Sequence, residues 1–138
     1  MTLETERSAI ESRFATQWAA SAYSALKVGY DGQKFEFVAN TTSVRMRIAD
    51  GAAEQISFGS PGTNLIRNVG VILFQIATPG GVGTATLRPI EETIMGFFRN
   101  VTFGGVRCRV PYVIGREDEP PFLLSTIACP FERDEYNG

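Results

Sequence analysis

Residues 65–78 constrain the fold more than any other part of the sequence. Val69, Val71 and Leu73 fall on one side of an extended chain there, and Gly70, Ile72, Phe74 and Ile76 fall on the other. A strand with a single buried face alternates apolar and polar residues, whereas an apolar pattern on both sides needs cover on both. This stretch therefore reads as a central strand. The run Val44, Arg45, Met46, Arg47, Ile48 is the opposite case, with apolar side chains facing one way and arginines the other. It predicts a strand with one buried face.

The remaining elements follow from periodicity and turn residues. Ile10, Phe14 and Trp18 recur every fourth position over the first twenty residues, with acids in the first turn, which predicts a docking helix. Gly29, Asp31 and Gly32 mark a turn region after a short strand at Leu26, Lys27 and Val28. A break at Asp50 and Gly51 precedes a short strand at 55–58 and a turn at 59–62. The glycines of 80–83 end the long strand, and Thr84 reads as the N-cap of a second helix with Leu87, Ile90, Ile94 and Phe97 as its apolar stripe and Asn100 as its stop. Strands at 101–103, 106–112 and 122–131 close the chain, the last pair joined by an acidic loop at 115–121 that Pro120 and Pro121 stiffen. The order α-β-β-β-β-α-β-β-β predicts an α+β fold, a mostly antiparallel sheet with two α-helices packed on one face. Residues 1–138 form a single domain in this reading, with mobile ends at 1–6 and 133–138.

Most catalytic chemistry is disfavoured by what the chain contains. Among its 138 residues there is no histidine, which removes Ser-His-Asp triads, Cys-His pairs and imidazole zinc sites. Cys108 and Cys129 lack Cys-x-x-Cys spacing and read as reduced, buried thiols. The glycines at 80–83 lack both the Lys-Ser/Thr of a phosphate loop and the spacing of a dinucleotide site. Adjacent Glu91 and Glu92 point about 100° apart on a helix and read as a solvated face rather than a proton-sharing pair. Glu117, Asp118 and Glu119, with Glu132, Asp134 and Glu135, lack the alternating oxygens of a Ca²⁺ loop and read as solvated or partner-facing. Tyr23, Tyr30, Tyr112 and Tyr136 have no adjacent base. No enzyme, cofactor or metal site is expected. A formal net charge of −2 argues against a general DNA binder. No apolar run of about 18 residues and no basic-then-apolar start point to a membrane, so the chain is expected to stay in the cytoplasm where it is made.

The positive signal is a pair of matching strands. Val106, Arg107, Cys108, Arg109, Val110 repeats the form of residues 44–48, so Arg45, Arg47, Arg107 and Arg109 are expected to share the open face of one sheet. Half the weight of that pattern is plain alternation. The other half is a surface suited to carboxylates or phosphates, because guanidinium forks pair bidentately with both. A basic face and separate acidic loops suit head-to-tail contacts, which close into rings.

With the elements placed, the chain resembles the tail terminator-like proteins of long-tailed bacteriophages and prophages. The likeness spans roughly residues 8–132. It rests on the first helix with Ile10 and Phe14, the run 44–48, the core run 70–76 with its turn at 78–83, and the helix carrying Ala85, Leu87, Ile90, Ile94 and Phe97. Gly104, Gly105 and Val106 and the closing strand at 127–131 complete it. Residues 27–42 depart from the pattern, with its aromatic turn reduced to Tyr30 and Phe35. The resemblance implies a virion protein assembled in the bacterial host cytoplasm: a hexameric ring that caps the tail tube, stops its polymerisation and joins tail to head or neck. Its partners would be other copies of itself, the major tail tube protein and a neck or head-completion protein, with DNA passing non-specifically through the lumen. A domain of this length has a radius of gyration of about 14 Å, so six spheres of about 37 Å leave a hole of about that width.

Two expectations about contacts follow. Arg45, Arg47, Arg107, Arg109 and Arg116 would lie at subunit or partner interfaces, the first four against Glu117, Asp118 and Glu119 of the adjacent subunit. Segments 50–64 and 116–121 would be mobile in the free subunit and order on assembly. The rival readings are another neck or head-completion ring protein, and a small ligand-binding α+β domain with its pocket between helices and sheet.

Overall fold

The computed structural model describes residues 2–55 and 64–137. Helix α1 (Leu3–Ala19) opens on a capping box: the Thr2 side chain accepts from the Thr5 backbone N–H at 3.1 Å, and the Thr5 hydroxyl accepts from the Thr2 N–H at 2.7 Å. Ile10, Phe14 and Trp18 form its buried stripe, as their spacing predicts. Helix α2 (Leu87–Phe98) begins later than expected. Thr86 is its N-cap without a side-chain bond, while Thr84 lies a residue pair upstream, its carbonyl accepting from the Arg88 N–H and its hydroxyl from Arg88 Nε. Asn100, left-handed at φ 50°, follows the helix end.

The strands are β1 (Lys27–Gly29), β2 (Ser43–Gln55), β3 (Asn64–Pro79), β4 (Thr102–Phe103), β5 (Val106–Cys108), β6 (Tyr112–Glu119) and β7 (Phe122–Asn137). They form a curled sheet in the order β1-β2-β3-β7-β5-β4. β6 also pairs with β7, so β5 and β6 line successive parts of that strand. All pairings among the described residues are antiparallel except β1 with β2. As its two-sided apolar pattern requires, β3 is central, flanked by β2 and β7.

Two expectations meet a different structure. β2 does not stop at Asp50: a bulge between Asp50 and Ala53 absorbs the break and pairing resumes to Gln55. The rest of the strand expected at 55–58, the turn at 59–62 and most of the mobile segment 50–64 lie outside the described residues. The acidic loop expected at 115–121 is instead mostly β6, a strand laid along β7 and joined to it through Pro120 and Pro121, because β7 is long enough to present a second stretch of edge. Near the ends, α1 starts at Leu3, β7 runs to Asn137, and Arg133 Nε donates to Glu6 at 2.6 Å with both side chains buried.

One core joins helices and sheet. Ile10 and Phe14 of α1, Ile90, Ile94 and Phe98 of α2, and Met46, Ile72, Phe74, Ile127 and Phe131 of the sheet are all fully or almost fully buried in a single cluster. Phe74 sits at its centre, with ring centroids 5.0 Å from Phe14 and 5.4 Å from Phe98. Each such ring contributes about 2 kcal/mol or more by burial alone. Cys108 and Cys129 are free and buried, and burial pushes the Cys108 thiol up to about 12. No helix among the described residues is long and apolar enough to cross a membrane.

Candidate functional site

Residues directly opposite in an antiparallel ladder share a face, so the register sorts the sheet into two surfaces. Val44, Met46, Ile72, Phe74, Ile76, Ile127, Cys129 and Phe131 belong to the core side. On the other side Arg45 stands beside Gln75 and Thr126, Arg47 beside Leu73 and Ala128, and Val71 beside Pro130. Val69 stands beside Glu132, and Glu132 beside Arg107. All four expected arginines are therefore on one face or just beyond its strands, but their chemistry divides.

Arg107 and Arg109 are engaged within the chain. Arg107 donates to Glu132 at 3.2 Å and to Asp134 at 2.9 Å, Arg67 donates to Asp134 at 3.0 Å, and Arg109 donates to Glu132 at 3.3 Å. The bonds from Arg67 and Arg107 hold the Asp134 carboxyl below its ordinary range. For Glu132, partial burial pushes upward but the bonds from Arg109 and Arg107 bring it below its ordinary value. Of the carboxylates read as solvated or partner-facing, Glu132 and Asp134 are thus these arginines' own counterions.

Arg116 is also taken, on the other face. Its fork grips Glu91, which accepts from Ser125 as well and is 2% exposed. Glu91 is therefore no solvated helix acid: a guanidinium from β6 and a hydroxyl from β7 meet it where α2 packs over the sheet. Glu92, one position on, is exposed as expected.

Arg45 and Arg47 stand apart. Among the described residues neither makes an ion pair or a side-chain hydrogen bond. They border a polar cleft of about 440 Å³ closed by the turn at Tyr30, Asp31, Gly32 and Gln33. Asp31 is turned to the backbone, its Oδ1 accepting from the Ile48 N–H at 3.2 Å. Glu117, Asp118 and Glu119 are exposed on β6 and likewise unpaired among the described residues. Their register separates them: Glu117 and Glu119 stand opposite Leu124 and Phe122 on the arginine face, while Asp118 stands opposite Leu123 on the core side.

Two features have no forerunner in the sequence reading. Tyr112 and Ile114 on β6, with Val110 just before it, are more than half exposed, and Val69 is 42% exposed. The second is a cavity of about 450 Å³ where β1 and the start of β2 meet residues 36–42, lined by Ala25, Leu26, Val38 and Ser43. The Ser43 hydroxyl there is buried without a hydrogen-bond partner among the described residues. This cavity lies at the sheet edge and not between helices and sheet. Alternation over 106–112 puts Tyr112 on the side of Val106 and Cys108, and only the fold places it in the open beside Ala128 and Leu73. Among the described residues no group of three Asp, Glu or Cys side chains could hold a metal ion.

No protein-family model and no curated protein matches the chain. A protein of solved structure whose name describes no function aligns with all of this chain and 99% of its own, with a TM-score of 0.76 at 21% identity. At that identity the likeness shows the fold alone.

Proposed function

We propose that this chain is a structural subunit of a long-tailed phage or prophage virion. As a tail terminator it forms a hexameric ring on the completed tail tube, ends polymerisation and presents the surface that receives the head or neck. It needs no catalytic residue and no cofactor in this role; its partners are its own copies, the tube protein and a neck protein, and DNA passes through the ring without sequence recognition.

The second face of the sheet carries this reading. Both helices reach the core from the side of Phe74, and with them packed on that one face the other is left to Val69, Val71 and Leu73. Val71 and Leu73 are half-buried and Val69 and Tyr112 exposed, around a central strand whose pattern asks for cover on both sides. A contiguous apolar surface of this kind on a small domain marks an interaction site. The family resemblance over residues 8–132 supplies the identity of the assembly.

The test adds the purified protein to a polymerising preparation of the major tail protein from the same phage gene cluster. Six-fold rings in negative stain and tubes of fixed final length are expected; tubes that keep growing with bare ends would sink the proposal. Rings that bind a portal or connector but ignore tubes would favour a neck or head-completion protein. The cavity at Ser43 favours a small-molecule binder as the second reading, and a stable monomer that takes up a metabolite there would establish it.

A further inference from the structure

The geometry points to one contact that joins neighbouring subunits: Glu117 and Glu119 of one copy enter the cleft that Arg45 and Arg47 form on the next. This rests on the proposal that copies of the chain assemble head to tail. Its first support is an accounting of charge. Arg67, Arg107, Arg109, Arg116 and Arg133 all have carboxylate partners inside the chain. Arg45 and Arg47 have none among the described residues, and neither do Glu117 and Glu119. Lys27, Lys34, Arg13 and Arg88 make no ion pair among the described residues either, but Arg45 with Arg47 and Glu117 with Glu119 are the same-face pairs, and they lie on strands at opposite sides of one sheet, β2 and β6, as a heterologous contact requires.

Spacing and direction match as well. Each pair sits two residues apart on one strand face, a rise of about 6.6 Å, so two carboxylates meet two guanidinium forks without a change of register. β6 runs antiparallel to β7, β7 to β3, and β3 to β2, so β6 and β2 of one chain have opposite senses. A six-fold rotation alters a strand's direction by at most about 60° and tends to keep that opposition between neighbours. Glu119 then approaches Arg45, and Glu117 approaches Arg47. Backbone pairing is not the route, because β1 covers β2 at Ser43, Val44 and Arg45, and Asp31 occupies the Ile48 N–H. Side chains make the contact, and Asp118, on the opposite face, takes no part.

The test is a charge swap read by sedimentation velocity or native mass spectrometry, with circular dichroism confirming that each variant folds. Arg45→Glu/Arg47→Glu and Glu117→Arg/Glu119→Arg should each raise the ring's dissociation constant at least about tenfold. An equimolar mixture should recover the wild-type mass, since alternating copies restore every contact in an even-numbered ring, and so should the four-fold swap in one chain. Asp118→Arg should assemble as the wild type does. Variants that assemble normally alone, or a mixture and four-fold swap that both fail to recover, overturn this contact while leaving the ring and its function standing. A wild-type chain that stays monomeric, with or without tube protein, removes the contact and the proposed function together.

Discussion

Glu6 shows how much a single residue's role depends on distance along the chain. It lies in the first turn of α1, where a helix N-terminus favours acids and where solvent exposure is the ordinary outcome. Its partner Arg133 is 127 positions away, and only the return of β7 past α1 brings them together. Burial pushes the Glu6 carboxyl from 4.5 up to about 7, the hydrogen bond with Asp50 of β2 adds to the rise, and Arg133 opposes it. The folded protein thus keeps a proton that the unfolded chain releases between pH 4.5 and about 7. Stability from this group is full below 4.5 and is lost as pH rises through 7. Asp50→Asn should lessen that loss, visible as a smaller fall in the urea midpoint between pH 5 and 8; equal falls in the two proteins would refute the coupling. Arg133→Leu leaves Glu6 buried without its cation and should cost about 3 kcal/mol or more at pH 8, and less at pH 5 where Glu6 is protonated. Glu91 teaches the same point: of two adjacent glutamates one is buried, and its partner Arg116 is 25 positions away.

At the scale of elements, the periodic segments were legible and the strand pairings were not. Ile10, Phe14 and Trp18 placed α1, the alternation of 44–48 placed the start of β2, and the double-sided pattern of 65–78 placed β3 at the centre. Local signals predict a loop at 115–121, where most of β6 lies, because Glu117, Asp118 and Glu119 are followed by two prolines. Its strand conformation comes from the edge that β7 offers, a tertiary cause that composition does not record. Gly70 was also readable only in part. A Cβ there would lie 2.6 Å from Phe131 Cζ and 2.9 Å from the Ala49 carbonyl oxygen, so the glycine lets a phenylalanine of β7 pack over β3. Gly70→Ala should therefore destabilise by about 1–3 kcal/mol through overpacking, measured by urea unfolding. Gly115→Ala, at a site with open space around its Cβ, serves as the control and should change little.

For the whole molecule, the α+β class and a mostly antiparallel sheet were readable from the order of elements. What the order could not separate was which charges the monomer uses internally and which it leaves for others. Four arginines of one pattern divide into two that bind Glu132 and Asp134 and two that bind nothing among the described residues, because β5 lies beside β7 while β2 lies across β3 from it. The apolar second face divides similarly, and this separates the proposed assembly from the fold most sharply. Val69 and Tyr112 contribute little to the monomer's core because each is about half exposed. Val69→Lys with Tyr112→Ser should leave the monomer's free energy of unfolding in urea within about 0.5 kcal/mol of the wild type, as exposed substitutions do. The same double variant should lose rings and tube capping, since a charge and a lost aromatic ring are costly only once that face is covered. Intact rings with an unchanged monomer would mean that the second face stays in water after assembly. A large loss of monomer stability would mean that the two side chains serve the fold itself and that the face is no docking surface.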